Sequence, residues 1–489
     1  MDTGMSPVYH SKTKQKEVGM RRTTRAVLAV LLSGIGSAVV AASPLKKRNT
    51  TVRMNILVFV SLVTLLSGCL SPAGKRGVYD IVDFGAKGDG KTKDTAAIQA
   101  AIDAAAAAGG GEVRVPTGHY VTGTLYLKSN VDFNVTIGAL IEASKDPADY
   151  NKWDFCPQNN RSVAENHEGG HLFVCLEQTN VVLRGYGTIN GNGTHFMTHG
   201  YDKGRIGKRT GKNSLGGVNV QDAILWRPAQ MLWFCESSQV RLEGLRLLNA
   251  PYWSVLFHGC TFVEVRGLHI RTSRENPRVH NGDGLNIDSC RHVWVSDCDI
   301  ETSDDSLCLR ATGKRLLRAP METAFVTVAN CTLSSLQEAF RIGVGDGSIH
   351  DCTFVNCVIR DSVRGINFSS TWFPSKGCDF ENIRFDNIVS HTRSSFLRIH
   401  RLKSTDPVIR ELHFSNICGT QGAPSYIWSR KGKPFENISL VNVNLNNGIE
   451  VVNVNGFRLE GGTLQENKLS PAEYEKRSEE IETFKKMLY

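Results

Sequence analysis

The chain has 489 residues, 41% hydrophobic and 21% charged, the composition of a folded protein and not of a disordered one. Its formal charge of +9 misleads, because residues 1–69 hold ten Lys/Arg against two acids, a net +8 that leaves only +1 for the rest. So neutral a body gives no basis for a nucleic-acid partner or a strongly basic binding groove.

The leader carries two export-like segments in tandem. Met20-Arg-Arg-Thr-Thr-Arg25 precedes an apolar run, Ala26 to Ala42, that ends in small residues, the layout of a signal peptide. A second apolar run begins at Met54 and ends Leu65-Leu66-Ser67-Gly68-Cys69. Leu-Ser-Gly-Cys is similar to the bacterial lipoprotein cleavage box, which makes Cys69 the expected lipidation site. The tandem layout leaves Met1, Met20 and Met54 open as the start. Residues 1–69 are read as an export leader and residues 70–489 as one domain. Export to the cell envelope, the periplasm or the exterior is expected, with a lipid anchor as the only membrane link.

Removing Cys69 leaves twelve cysteines, most of them in β-like runs such as Cys331, Cys352 and Cys357. Their spacing forms neither a zinc site nor a disulfide framework, so core packing is expected for most, with one or two bridges at most. No metal or cofactor is expected.

Val78 to Gly85 reads as a strand, followed by the turn-rich Ala86 to Gly90. Asp94 or Thr95 is positioned to cap a helix to about Ala108, with Ala96, Ala97, Ile98, Ala101, Ile102 and Ala105 on its apolar face. Gly109-Gly110-Gly111 stops it, and Glu112 to Pro116 is a strand. From there short runs recur in the order apolar, polar, apolar, polar, turn residue. The turn residues are Gly185, Gly244, Gly267, Asp297, Asn330, Asn356, Asn387, Asn416 and Asn442, at intervals of 23 to 33 residues from Gly244 onward. Alternation turns one side inward, and Gly, Asn and Asp tolerate the left-handed conformation of a tight corner. This pattern predicts an all-β fold, a parallel β-helix of about ten coils, with the early helix capping its open end. Residues 144–172 and 192–228 break the rhythm and read as long loops walling a groove. Pro471 to Tyr489 is charged and helical in pattern, a candidate C-terminal cap.

Asn281-Gly-Asp-Gly-Leu-Asn-Ile-Asp-Ser-Cys290 and Ser303-Asp304-Asp305 bring three acids within one repeat. If each repeat is one coil, Asp283 lies one strand spacing, ~4.8 Å, from the Asp304–Asp305 pair. Carboxylates that close push their pKa values apart, leaving one as acid and another as base, the division of labour glycosidic hydrolysis needs.

These features resemble the family 28 glycoside hydrolases, the polygalacturonase family, over residues 78–460. The resemblance rests on Asp83-Phe-Gly-Ala-Lys-Gly-Asp-Gly90, Ala250-Pro-Tyr-Trp253, Asn281-Gly282-Asp283 for the family's Asn-Thr-Asp, and Ser303-Asp304-Asp305 for its Gly-Asp-Asp. It implies a right-handed β-helix and an inverting hydrolase of pectin-type polysaccharide, working as a monomer. Asp304 would be the general acid, with Asp283 and Asp305 activating water. Asn281, Arg310, Glu338, Arg341 and Trp372 are the expected substrate-binding residues.

Later motifs depart from the family. Glu338 stands where the family has His, and Asn367-Phe368-Ser369 follows Gly365-Ile366 where it has a basic pair. Arg310 takes the place of a family Lys. Arg341 is read as either ligand or scaffold, and Trp372 as a ring that stacks on a sugar or packs beneath a loop. Crowding among the acids is expected to keep Glu338 neutral, as a hydrogen-bond donor. The losses turn attention from plain homogalacturonan toward a rhamnogalacturonan, another branched pectin or a neutral glycan. Two other readings stay open: a non-catalytic glycan-binding β-helix, and a lyase or epimerase on the same fold.

Overall fold

The alternating runs become strands and the turn residues become the corners between them. The computed structural model describes residues 77–470, apart from 153–154, 160–169, 200–226, 276, 314–315, 370–376, 401–405 and 431, together with part of 472–479. The strands form one sheet of 22 and another of 11, and coil stacks on coil in parallel register. The smaller sheet takes one strand per coil from Leu125–Tyr126 to Ile449–Val452, which makes eleven coils where about ten were expected. The result is a right-handed parallel β-helix.

All nine predicted corner residues have positive φ, from 53° at Asn416 to 128° at Gly185. Asn occupies this left-handed region at modest cost because its short side chain bonds locally. Here the corner amides stack: Asn442 Nδ2 donates to Asn416 Oδ1 at 2.8 Å, and Asn387 Nδ2 to Asn356 Oδ1 at 2.8 Å. Between corners the inward residues stack the same way. Phe354, Phe385 and Phe414 are fully buried, with ring centroids 4.2 Å and 5.5 Å apart. Burial of each ring contributes ~1.5–3 kcal/mol. No disulfide joins the twelve described cysteines after Cys69, and ten are buried, so packing and not bridging explains them.

The early helix spans Thr95–Ala107 and buries Ile98, Ala101, Ile102 and Ala105 against the strands Gly77–Asp80, Gly111–Val115 and Leu125–Tyr126. Asp94 sits at the N-cap position without capping. Its carboxylate instead accepts from the backbone N–H groups of Lys87 at 2.7 Å and Gly88 at 3.1 Å, pinning the turn before the helix. The segment read as a loop from 192 opens with a helix, Gly193–His199, anchored by the Thr194 N–H on Asn249 Oδ1 at 3.2 Å. No described helix is long and apolar enough to cross a membrane. Cys69 lies outside the described residues, as does most of Pro471 to Tyr489.

Candidate active site

The corners leading into the smaller sheet place the acids. Leu285, Leu307, Phe340 and Ile366 are inward residues paired coil by coil. Two residues ahead of each stand Asp283, Asp305, Glu338 and Arg364, which therefore share one register position on four successive coils. Successive side chains in this column are one strand spacing apart, ~4.8 Å. Asp304 sits beside the column. It is half-buried, while Asp283, Asp305 and Glu338 keep no more than 5% of their surface.

The glycines around Asp283 are required by crowding. A Cβ on Gly284 would fall 2.4 Å from the Ser306 carbonyl oxygen, and one on Gly282 would fall 2.2 Å from Ser303 Oγ. The second clash links two departures from the family pattern. Gly282 replaces a Thr and Ser303 replaces a Gly, so the Ser303 hydroxyl fills the space the missing side chain vacates. Ser303 Oγ then donates to the Val279 carbonyl at 2.6 Å and accepts from Thr272 Oγ1 at 3.2 Å.

A second column lies beside the first: Asn286, Cys308, Arg341, Asn367, Arg398 and Tyr426. It supplies the partners of the acids. Asp283 Oδ2 accepts from Asn286 Nδ2 at 3.3 Å and from the Cys308 thiol at 3.7 Å. Asp305 pairs with Arg341 Nη1 at 2.9 Å and accepts from the Glu338 N–H at 3.1 Å. Glu338 Oε1 accepts from Arg364 Nε at 2.7 Å and Asn367 Nδ2 at 3.0 Å, with Arg398 Nη1 at 4.0 Å.

These contacts separate the protonation states. Burial, then the Glu338 charge, lifts Asp304 to about 6 against the opposing pull of Arg341 and Arg278. Burial and Asp304 push Asp283 well up, and burial and Glu338 do the same to Asp305. Glu338 goes the other way. Burial would raise it, but the hydrogen bond from Asp305 and the charges of Arg364 and Arg341 hold it at about 2. The expectation of a neutral, donating Glu338 is therefore corrected: Glu338 is the acceptor of Arg364 and Asn367 and is held below its usual value, while Asp305 beside it is pushed up. The hydrogen bond with Asp305, then the charges of Arg364 and Arg341, are the physical reason.

Asp283, Asp305 and Cys308 bring ligand atoms within 4.8 Å of one another, a spacing that suits a cation. The Arg341 guanidinium already occupies Asp305, and burial keeps the Cys308 thiol protonated.

The other expected substrate residues divide. Arg341 is in the site, on Asp305. Arg310 is buried two residues beyond Cys308 on its strand, over the Trp253 ring at 4.6 Å and 3.9 Å from Asp288 Oδ2, which makes it part of the packing. Asn281 Oδ1 accepts from Arg227 Nη2 at 3.1 Å. Trp372 lies outside the described residues. Arg364, Arg398, Asn367 and Cys308 were not anticipated. Arg364 precedes Gly365-Ile366, whereas the family's basic pair directed attention to the residues after it.

A model of glycosyl hydrolases family 28 matches residues 108–463. A probable polygalacturonase of Vitis vinifera is 27% identical over 237 residues, 47% of this chain and 44% of that protein. Exo-poly-alpha-D-galacturonosidase of Dickeya chrysanthemi is 27% identical over 255 residues, 47% of this chain and 41% of that protein. Each match thus spans less than half of the relative. Among solved structures, a hyperthermoactive exopolygalacturonase from Thermotoga maritima superposes with a TM-score of 0.62 at 20% identity, covering 80% of this chain and 92% of that one. At that identity the likeness is one of fold. The family match takes in most of the chain and every acid of the column, and the chain belongs to family 28 of the glycosyl hydrolases.

Proposed function

We propose that this chain hydrolyses glycosidic bonds of a pectin-type, uronate-containing polysaccharide with inversion at the anomeric carbon. The observation that carries the reading is the half-buried Asp304, lifted to about 6, beside the buried column of Asp283, Asp305 and Glu338. Asp304 gives its proton to the leaving oxygen as the anomeric C–O bond breaks. Water attacks the opposite face, and its proton passes to Asp283 or Asp305, whichever is ionised. Arg341 steadies Asp305 in that state. The polygalacturonase and galacturonosidase names of the relatives agree with this substrate class.

The arginines bear on the sugar. Arg341, Arg364 and Arg398 stand on three successive coils beside and beyond the acids, and each keeps some exposed surface. With Glu338 and one of Asp283 and Asp305 ionised, the three arginines still leave the cleft net positive, which favours an anionic uronate over a neutral sugar. A rhamnogalacturonan is the second reading, because no basic pair follows Gly365-Ile366. Export, with Cys69 as lipid anchor, completes the proposal.

The test is a reducing-sugar assay on polygalacturonate, rhamnogalacturonan and neutral glycans, with and without EDTA. New reducing ends on a uronate polymer, unaffected by EDTA and without ultraviolet absorbance from a new double bond, are expected. An unsaturated product would assign a lyase, and binding without cleavage would assign a glycan-binding β-helix.

A further inference from the structure

The outer face of the smaller sheet changes character at the acids. On the N-terminal side the second column continues as Leu256, Trp233, Val174 and Tyr126. Trp233 and Leu256 have no exposed surface, and Tyr252 and Trp253 keep 3% and 4%. Two segments far apart in sequence cover them. Phe155 sets its ring edgewise to Trp233 at 5.9 Å and Tyr126 at 6.3 Å, and Leu316 packs into the same cluster.

Both segments are fastened to the same two carboxylates. Gln158 Nε2 donates to Glu177 at 3.0 Å and to Glu236 at 2.7 Å. Arg318 pairs with Glu177 at 2.9 Å, and the Ala319 N–H donates to Glu236 at 3.2 Å. The cover is a built wall, closed by buried aromatic rings and polar clamps. It reaches Trp253, which holds the register position of Asp283 one coil earlier.

The C-terminal side is different. Arg398, Tyr426 and Glu450 continue the column and all keep accessible surface, as do His400 and Trp428 beside them. The Tyr426 and Trp428 rings stack at 4.0 Å.

We infer that the cleft admits polysaccharide from one side only, across Arg364, Arg398 and Tyr426, so that a chain end must seat at the acids and cleavage is exolytic. A cleft open on both sides accepts an internal bond. A wall one coil before Asp283 leaves no path for a long chain to continue. This inference rests on the hydrolase reading above.

The test uses the full chain on long polygalacturonate, following reducing ends, viscosity and product size together. The expected result is one small product from the first minutes, with viscosity falling slowly as reducing ends accumulate. A ladder of intermediate oligosaccharides with rapid loss of viscosity would overturn exolytic cleavage and leave the hydrolase reading standing. No new reducing ends on any uronate polymer would overturn both. A Gln158→Ala/Arg318→Ala double variant, which releases the clamps, is expected to add longer oligosaccharides to the products. A folded double variant with an unchanged product profile would overturn the role of the wall.

Discussion

Replacing Glu338 with Gln removes one negative charge from beneath Asp304 and leaves shape nearly unchanged. In the wild type Asp304 is lifted from 3.8 to about 6, first by burial and then by Glu338. That rise of about two units is worth ~3 kcal/mol. Burial is the largest upward push and Glu338 the second, with Arg341 and Arg278 pulling the other way. Glu338→Gln is therefore expected to move the alkaline limb of kcat/KM, set by loss of the Asp304 proton, downward by on the order of one pH unit. The same change leaves Arg364 without its carboxylate at 2.7 Å, and breaking a buried pair costs roughly 3–5 kcal/mol. The sign with pH follows from the depressed value. Glu338 is held at about 2 against an unfolded value of ~4.3, so its stabilisation is complete above ~4.3 and fades as pH falls toward 2. The assays are a pH–rate profile and thermal melts of both proteins across that range. An alkaline limb that stays put or moves upward would refute the placement of the charge on Glu338.

Gly282→Thr alone is expected to destabilise by ~1–3 kcal/mol, because its side chain meets Ser303 Oγ, and Gly282→Thr/Ser303→Gly is expected to recover most of the loss in a melt. Equal melts for the single and double variants would show the two sites are independent. Cys308→Ala removes a donor from Asp283 and should raise the acid limb of kcat/KM, while Cys308→Ser should leave it nearly in place. An acid limb unmoved in Cys308→Ala would deny the thiol that role. Asn416→Ala places a Cβ without a local partner at φ 53° and breaks the amide stack, for about 2 kcal/mol, whereas Asn416→Gly should lose only the hydrogen bonds. Identical urea midpoints for the two variants would contradict that division.

The fold was legible because a solenoid repeats its own grammar. Nine corner residues and the alternation between them are local signals, and each became a left-handed corner with its apolar neighbours inward. The acids were legible for the same reason, since Asp283 and Asp305 are one coil apart. What the sequence hid was the lateral pairing. Arg364 lies 26 residues after Glu338, and only the coil length puts them side by side. Without Arg364 the charge on Glu338 could not be signed, and the crowding of acids pointed the wrong way. Phe155 lies in the 144–172 segment that reads as a groove wall, but Leu316 and Arg318 come from a loop the pattern did not mark, and their convergence on it was hidden.

The most direct test of the proposed chemistry is the kcat of Asp304→Asn on the polymer the wild type cleaves. Asn keeps the volume and cannot give a proton to the leaving oxygen. The expected result is a loss of roughly 10²–10⁴-fold in kcat, with the alkaline limb near pH 6 abolished and the thermal melt at acid pH close to wild type. An Asp304→Asn protein with nearly full kcat and an intact alkaline limb would contradict the assignment of Asp304 as the acid.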